Sequence, residues 1–257
     1  MLFAPHYARA EVCQCISDAV TLRAAPSSDA PAISQLVHGE SFALVDKAGG
    51  WAWGRCLHDD YVGYLPADAL GPARASSHRV IAPLALVFAN PDIKAPIVRA
   101  FAIGAQVAGS EEDQFLRIDE GYIHLRHVAP LDAFEPDPVT VAERLLGAPY
   151  RWGGRGAEGV DCSGLVQRAL ELAGIAAPRD SDMQRDQLGE ALPEDAPLQR
   201  GDLIFFPGHV GLMADGERLL HANAYWMSTV IEPLADVVER LAPTYQRPIV
   251  ARKRIVK

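Results

Sequence analysis

Asp161-Cys162-Ser163-Gly164 follows Tyr150-Arg151-Trp152-Gly153-Gly154 and opens a run in which Leu165, Val166, Ala169, Leu170, Leu172 and Ala173 recur at helical spacing. This stretch decides the fold of the C-terminal half. Asp161 stands where a carboxylate caps the free N–H groups of a helix, and Gly174 where a glycine ends one. Cys162 then falls in the first helical turn. A thiol is a weak nucleophile until it loses its proton, and the unpaired N–H groups and positive dipole end of a helix start favour the thiolate. The polar residues and glycines around Cys162 predict exposure rather than an inert buried thiol. A histidine held nearby would take its proton.

Two histidines follow. Residues 200–206, Arg-Gly-Asp-Leu-Ile-Phe-Phe, read as a strand, Pro207-Gly208 as a turn and His209-Val210-Gly211-Leu212-Met213 as the next strand. A loop of Ala214-Asp215-Gly216, with Gly216 left-handed, pairs Met213 with Glu217 and sets His209 directly opposite His221, Cβ atoms roughly 5 Å apart. A two-residue Asp215-Gly216 turn would place them on opposite faces. The three-residue loop is the expectation, with His221 orienting His209 as base. Cysteine and two histidines are also zinc ligands. A line of nucleophile, base and orienting residue fits strand geometry better than three ligands at equal reach of one ion. Upstream, Val139, Ala142, Leu145 and Leu146 predict a helix stopped by Gly147 and Pro149, and residues 130–138 a linker.

The first half contains a repeat. Leu22-Arg23-Ala24-Ala25-Pro26, with Pro31, Ile33, Leu36 and Gly39, recurs at an offset of 65 as Val87-Phe88-Ala89-Asn90-Pro91, with Pro96, Val98, Phe101 and Gly104. Gly63-Tyr64-Leu65 recurs as Gly121-Tyr122-Ile123 at an offset of 58, so the second copy is about seven residues shorter between its middle strands. Short β-type runs such as Ser41-Phe42-Ala43-Leu44-Val45 and Trp51-Ala52-Trp53, parted by turn residues, suggest small barrels.

With 257 residues, 49% hydrophobic and 22% charged, the chain has the composition of an ordinary globular protein. Its net charge of −9 argues against nucleic-acid and anionic-membrane partners. No apolar stretch approaches the roughly 18 residues of a membrane helix. The first nine residues lack a basic segment followed by an apolar core, which predicts a cytoplasmic protein. Cys13, Cys15, Cys56 and Cys162 are too scattered for a disulfide scaffold and suit a reducing compartment. Cys13-x-Cys15 lacks a second ligand pair, and Cys56 reads as a small hydrophobe in a strand.

The order Y-x-W-G-G, D-C-S-G, R-G-D-L-x-F-F, G-H-V-G and a later H-A resembles the NlpC/p60 family of cysteine peptidases over residues 139–257. The first half resembles bacterial SH3-like domains through L-R-x-x-P, W-x-W and G-Y-[LI], the second copy more loosely than the first. The resemblance implies an α+β chain: SH3-like barrels at 1–73 and 74–134, then a papain-like catalytic domain at 135–257. Cys162 would be the nucleophile, His209 the base, His221 the orienting residue, and Tyr150 a contributor to the oxyanion site. Two SH3-like domains point, by resemblance, to γ-D-glutamyl-L-diamino acid endopeptidases of murein recycling. These take free peptides with an N-terminal L-Ala. Asp161, Ser163, Asp180 and Ser181 match positions that hold the free amine, and Tyr61, with Tyr64 as the alternative, would be the SH3-like contribution. Asp182-Met183 departs from the family pattern. The implied partner is a murein peptide, with no metal or cofactor. The competing readings are an exported hydrolase of intact peptidoglycan, a non-catalytic wall-binding protein, and an acyltransferase of similar fold.

Overall fold

Alternation along Trp51-Ala52-Trp53-Gly54-Arg55-Cys56 turns Ala52, Gly54 and Cys56 inward, where Ala52 and Cys56 meet Leu22, Leu36, Phe42 and Leu65 in one core. In the computed structural model, which describes residues 9–256, this core is enclosed by a seven-stranded antiparallel sheet. Its strands are β1 (Glu11–Cys15), β2 (Ala19–Arg23), β3 (Ala32–Val37), β4 (Ser41–Ala48), β5 (Trp51–Cys56), β6 (Val62–Pro66) and β7 (Leu70–Pro72), in the order β3-β2-β6-β5-β4-β1-β7. The stretch up to Ala8, read above for an export signal, lies outside the described residues.

The next strands are β8 (His78–Val80), β9 (Leu84–Phe88), β10 (Ile97–Ala102), β11 (Gln106–Val107), β12 (Ser110–Glu112), β13 (Phe115–Ile118), β14 (Gly121–His124) and β15 (Val128–Pro130). They retrace the first segment: β9 and β10 stand 65 residues after β2 and β3, and β15 stands 58 after β7. The strand order is retraced too, but as a five-stranded sheet β10-β9-β14-β13-β12 and a three-stranded sheet β11-β8-β15. The break falls where the long β4 is replaced by two short strands, β11 and β12, either side of Ala108-Gly109. Val37 of the first segment is buried in the core of the second, beside Val87, Phe101 and Ile123. By contacts, the chain up to Val80 together with Ala85–Ala129 forms one compact unit, and Ile81–Leu84 with the residues from Pro130 onward forms another.

The second unit holds α1 (Pro138–Glu143), a small hairpin of β16 (Arg155–Gly156) and β17 (Gly159–Val160), α2 (Cys162–Leu172) and α3 (Ser181–Gln187). A six-stranded antiparallel sheet follows, of β18 (Glu190–Ala191), β19 (Leu203–Phe206), β20 (His209–Met213), β21 (Arg218–Asn223), β22 (Ser228–Pro233) and β23 (Ala251–Arg254), with α4 (Leu234–Leu241) between the last two strands. Its order is β18-β23-β19-β20-β21-β22. Among the described residues no helix is long and apolar enough to cross a membrane.

Helix α1 begins one residue before the predicted 139–146 span and ends three before it, because Arg144, Leu145 and Leu146 donate to carbonyls three residues back and tighten into turns. Helix α2 ends as predicted: Gly174 has φ +79°, its N–H bonds Glu171, and the Ile175 N–H bonds Leu170. The Arg200-Gly201-Asp202 motif is structural. Arg200 pairs with Asp137, the N-cap of α1, at 2.7 Å and with Glu143 at 2.8 Å, and buried Asp202 pairs with Arg254 of β23 at 2.7 Å.

The start of α2 lies against the glycine loop so closely that a Cβ on Gly164 would stand 2.3 Å from the Gly154 carbonyl oxygen. The Cβ position is fixed by the backbone and the oxygen is itself backbone, so no rotamer relieves the clash. Gly164→Ala is expected to destabilise the protein by roughly 1–3 kcal/mol, read as a lower urea midpoint.

Candidate active site

Cys162 is the first residue of α2, and Asp161 is its N-cap. The Asp161 carboxylate accepts from Gly164 N–H at 2.7 Å and Gly153 N–H at 2.8 Å, from the Ser163 hydroxyl at 3.3 Å, and from both terminal nitrogens of Arg179 at 2.9 and 2.5 Å. Arg179 also donates to Ser163 Oγ at 2.9 Å. Aspartate, arginine and serine are all buried. One carboxylate therefore ties together the helix start, the glycine loop and the segment before α3. Gln184 of α3, fully buried, adds bonds to the carbonyls of Ser163 and Pro178 at 2.9 and 2.8 Å.

The expected exposure of Cys162 is corrected: the residue is 5% exposed. Helix α2 packs against β20 and β21, and the thiol lies by the backbone of Val210, the residue after His209 in the chain. Burial pushes the thiol up to about 11, the Asp161 charge pushes the same way, and backbone bonds from Val210 and Ser163 only partly offset them. Desolvation takes His209 down to about 3, helped by His221. Burial thus favours the neutral form of both groups, whereas the helix start alone predicts a thiolate.

The hairpin carrying the histidines differs from its predicted register. Leu212 pairs with Leu220 and Met213 with Leu219, and the Ala214 N–H bonds the Arg218 carbonyl at 2.8 Å. The loop is Asp215-Gly216-Glu217, one residue further along. Gly216 is not left-handed; instead the Asp215 carboxylate accepts from the N–H groups of Glu217 and Arg218 at 2.9 and 2.8 Å and closes the turn. A slip of two residues keeps every side chain on its face. Gly211 now stands across from His221, where a Cβ would meet His221 Cβ at 3.0 Å, and His209 reaches diagonally over it. His209 Nε2 lies 2.8 Å from His221 Nδ1.

The line continues beyond the three predicted residues. His221 Nε2 lies 2.8 Å from Glu232 Oε1, and Glu232 is paired with Arg240 of α4 at 2.7 and 3.1 Å. Arg240 sits 4.1 Å above the ring of Tyr225. Single charged residues on β22 and α4 carry no motif in the sequence, so neither was legible there.

Tyr150 is half-buried, and burial together with the nearby Cys162 and Asp161 holds its hydroxyl up at about 12. Its backbone bonds Met227, which brings the exposed turn of Tyr225, Trp226 and Met227 beside it. Asp180 is the N-cap residue of α3 and Ser181 its first residue, both half-buried. Tyr61 lies in the other unit, packed against the first strand core, and Tyr64 is 6.5 Å from Trp53 there. Among the described residues the one group whose potential metal-ligating atoms lie within 4.8 Å of one another is Cys56, His58 and Asp59, also in that unit. Cys162, His209 and His221 do not form such a group.

Residues 147–237 match the NlpC/P60 family, and residues 22–70 match the bacterial dipeptidyl-peptidase Sh3 domain. The chain carries an NlpC/P60 domain. The chain is 37% identical over 97 residues to a dipeptidyl-peptidase 6 of Lysinibacillus sphaericus, covering 38% of this chain and 35% of that protein. It is 31% identical over 126 residues to a gamma-D-glutamyl-L-lysine dipeptidyl-peptidase of Bacillus subtilis, covering 46% of this chain and 40% of that protein. The matched segments thus span well under half of each relative. A crystal structure of an NlpC/P60 family protein from Bacillus cereus superposes with a TM-score of 0.80 at 22% identity, covering 96% of this chain and 100% of that one. This last likeness is one of fold.

Two measurements test the electrostatics of the NlpC/P60 domain. Arg179→Met strands a buried carboxylate and is expected to cost roughly 3–5 kcal/mol in urea unfolding, with part of the loss recovered in Asp161→Asn/Arg179→Met. Alkylation of Cys162 by iodoacetamide is expected to climb about tenfold per pH unit from pH 6 to pH 9, since a thiol near 11 is protonated throughout that range. A plateau in that interval would reveal a resting thiolate–imidazolium pair instead.

Proposed function

We propose that the chain is a cysteine endopeptidase that hydrolyses the γ-D-Glu–L-diamino acid bond of free murein peptides bearing an N-terminal L-Ala. The observation that carries this reading is the pairing, in one chain, of an NlpC/P60 domain holding Cys162 and a histidine line with a dipeptidyl-peptidase type Sh3 domain. The names of the two relatives point the same way.

In the proposed reaction Cys162 Sγ attacks the γ-D-Glu carbonyl carbon while its proton passes to His209. The negative charge forms on the carbonyl oxygen, for which the backbone N–H of Cys162, at the start of α2, and the Tyr150 hydroxyl are the proposed donors. Collapse breaks the C–N bond, and His209 returns the proton to the departing diamino acid amine. Water, deprotonated by His209, then cleaves the thioester and releases L-Ala-D-Glu.

For the free amine, Asp180 and Ser181 at the start of α3 are the proposed direct partners. Ser163 keeps one lone pair after accepting from Arg179. Asp161 already accepts five hydrogen bonds and acts on the amine through its charge alone. The segment from β8 to β15 is proposed to be a second SH3-like barrel, because its elements and strand order retrace the first. The scattered cysteines suit action in a reducing cytoplasm.

The test incubates the protein with L-Ala-γ-D-Glu-meso-diaminopimelate, the corresponding L-Lys peptide, their N-acetylated forms, and purified sacculi. Release of L-Ala-D-Glu from free-amine peptides only is expected, falling at least a thousandfold in Cys162→Ala. Equal cleavage of blocked peptides, or solubilisation of sacculi, would overturn the recycling substrate. Activity retained in Cys162→Ala would overturn the mechanism.

A further inference from the structure

A neutral imidazole has one N–H and one lone pair, so the partner of one ring nitrogen decides what the other can do. The partner of His221 Nε2 is Glu232 Oε1, 2.8 Å away. A carboxylate only accepts. Glu232 also receives two N–H bonds from Arg240, at 2.7 and 3.1 Å, which keep it ionised and aimed. Burial favours the neutral form of His221. The hydrogen therefore sits on Nε2, and Nδ1 presents a lone pair. Asn223 Nδ2 also lies 2.9 Å from His221 Nε2, but it too is a donor, because its oxygen accepts from the Trp226 N–H at 2.8 Å. Two donors cannot bond, and the carboxylate takes the proton.

The same step repeats at the next residue. His221 Nδ1, as acceptor, faces His209 Nε2 at 2.8 Å, so His209 Nε2 must carry the hydrogen. The one nitrogen of His209 left with a lone pair is Nδ1, so a proton that His209 takes up goes there. We propose that Glu232 is a positioning residue that fixes the tautomers of His221 and His209 in series and so makes His209 Nδ1 the base. Glu232 touches no reacting atom in this arrangement. Arg240 holds Glu232 in place and cancels its charge, so the pair works through hydrogen-bond direction rather than net field. The role as base rests on the peptidase reading; the tautomers do not.

The test separates the two. In the intact protein labelled with ¹⁵N-histidine, two-bond ¹H–¹⁵N spectra near pH 7 are expected to show both His209 and His221 as Nε2–H tautomers, each assigned by its His→Gln variant. In Glu232→Ala/Arg240→Ala, which removes the pair without changing net charge, the His221 signal is expected to become a mixture of tautomers, followed by that of His209. On whichever murein peptide the wild type cleaves, kcat should fall about 10–100-fold with KM nearly unchanged. Arg240→Ala alone, which leaves the acceptor, should keep both tautomers. An Nδ1–H tautomer of His221 in the wild type would overturn the proposal without any variant. So would unchanged tautomers in a folded double variant. If no peptide is cleaved, the peptidase reading fails while the tautomer measurement still decides the role of Glu232.

Discussion

The placement of Cys162 depends on one buried ion pair. Asp161 and Arg179 are each nearly inaccessible to water, and two charges in such a place are tolerated only when their hydrogen-bonding capacity is used. Here the carboxylate takes five hydrogen bonds from the glycine loop, the first turn of α2, the Ser163 hydroxyl and Arg179. Those bonds set the direction in which α2 leaves the loop, and Cys162 sits where the helix begins. Gly164 follows from the same geometry, since that close approach leaves no room for a Cβ. The D-C-S-G stretch is thus a packing solution as much as a chemical one. Its serine and aspartate are largely committed to the protein itself.

Local chemistry was legible in the sequence where it acts over a few residues. The capping aspartate and the C-terminal glycine fix α2 at both ends, and Pro207-Gly208 joins β19 to β20. The hairpin after β20 shows the limit of that reading. A left-handed Gly216 and a side-chain cap by Asp215 are both sound ways to close a tight turn, and the second prevails. The two histidines are no longer directly opposite, but they stay on one face and in contact because the slip equals the two-residue period of a strand. The burial of Cys162 was not legible, since its cover comes from a strand more than forty residues away. Glu232 and Arg240 were invisible for the same reason: their meaning appears only once β21, β22 and α4 are adjacent.

The repeat in the first half divides along the same line. Its offsets, 65 and then 58, could be read from prolines, glycines and apolar residues, and the strands obey them. The break in the second sheet could not be read. The missing residues fall about the turn between β13 and β14, whereas the counterpart of β4 keeps its place but is interrupted at Ala108-Gly109, and one continuous seven-stranded sheet becomes sheets of five and three. Val37 then completes the second core, so the copies are not independent modules despite the regular spacing.

The electrostatics of the site reassign the purpose of the helix start. An N-terminus that stabilised a resting thiolate would hold the thiol well below its ordinary range, yet burial and the Asp161 charge raise it to about 11 and desolvation lowers His209 to about 3. In the proposed reaction, negative charge then appears as the sulfur bonds to carbon, and it resides on the carbonyl oxygen rather than on sulfur. The Cys162 N–H at the helix start and a tyrosine hydroxyl that stays protonated are the proposed donors to that oxygen. Donors that favour the developing oxyanion over the resting thiol lower the barrier without stabilising the ground state. The fixed histidine tautomers serve the same end, because a base already oriented needs no rearrangement at the moment the proton moves.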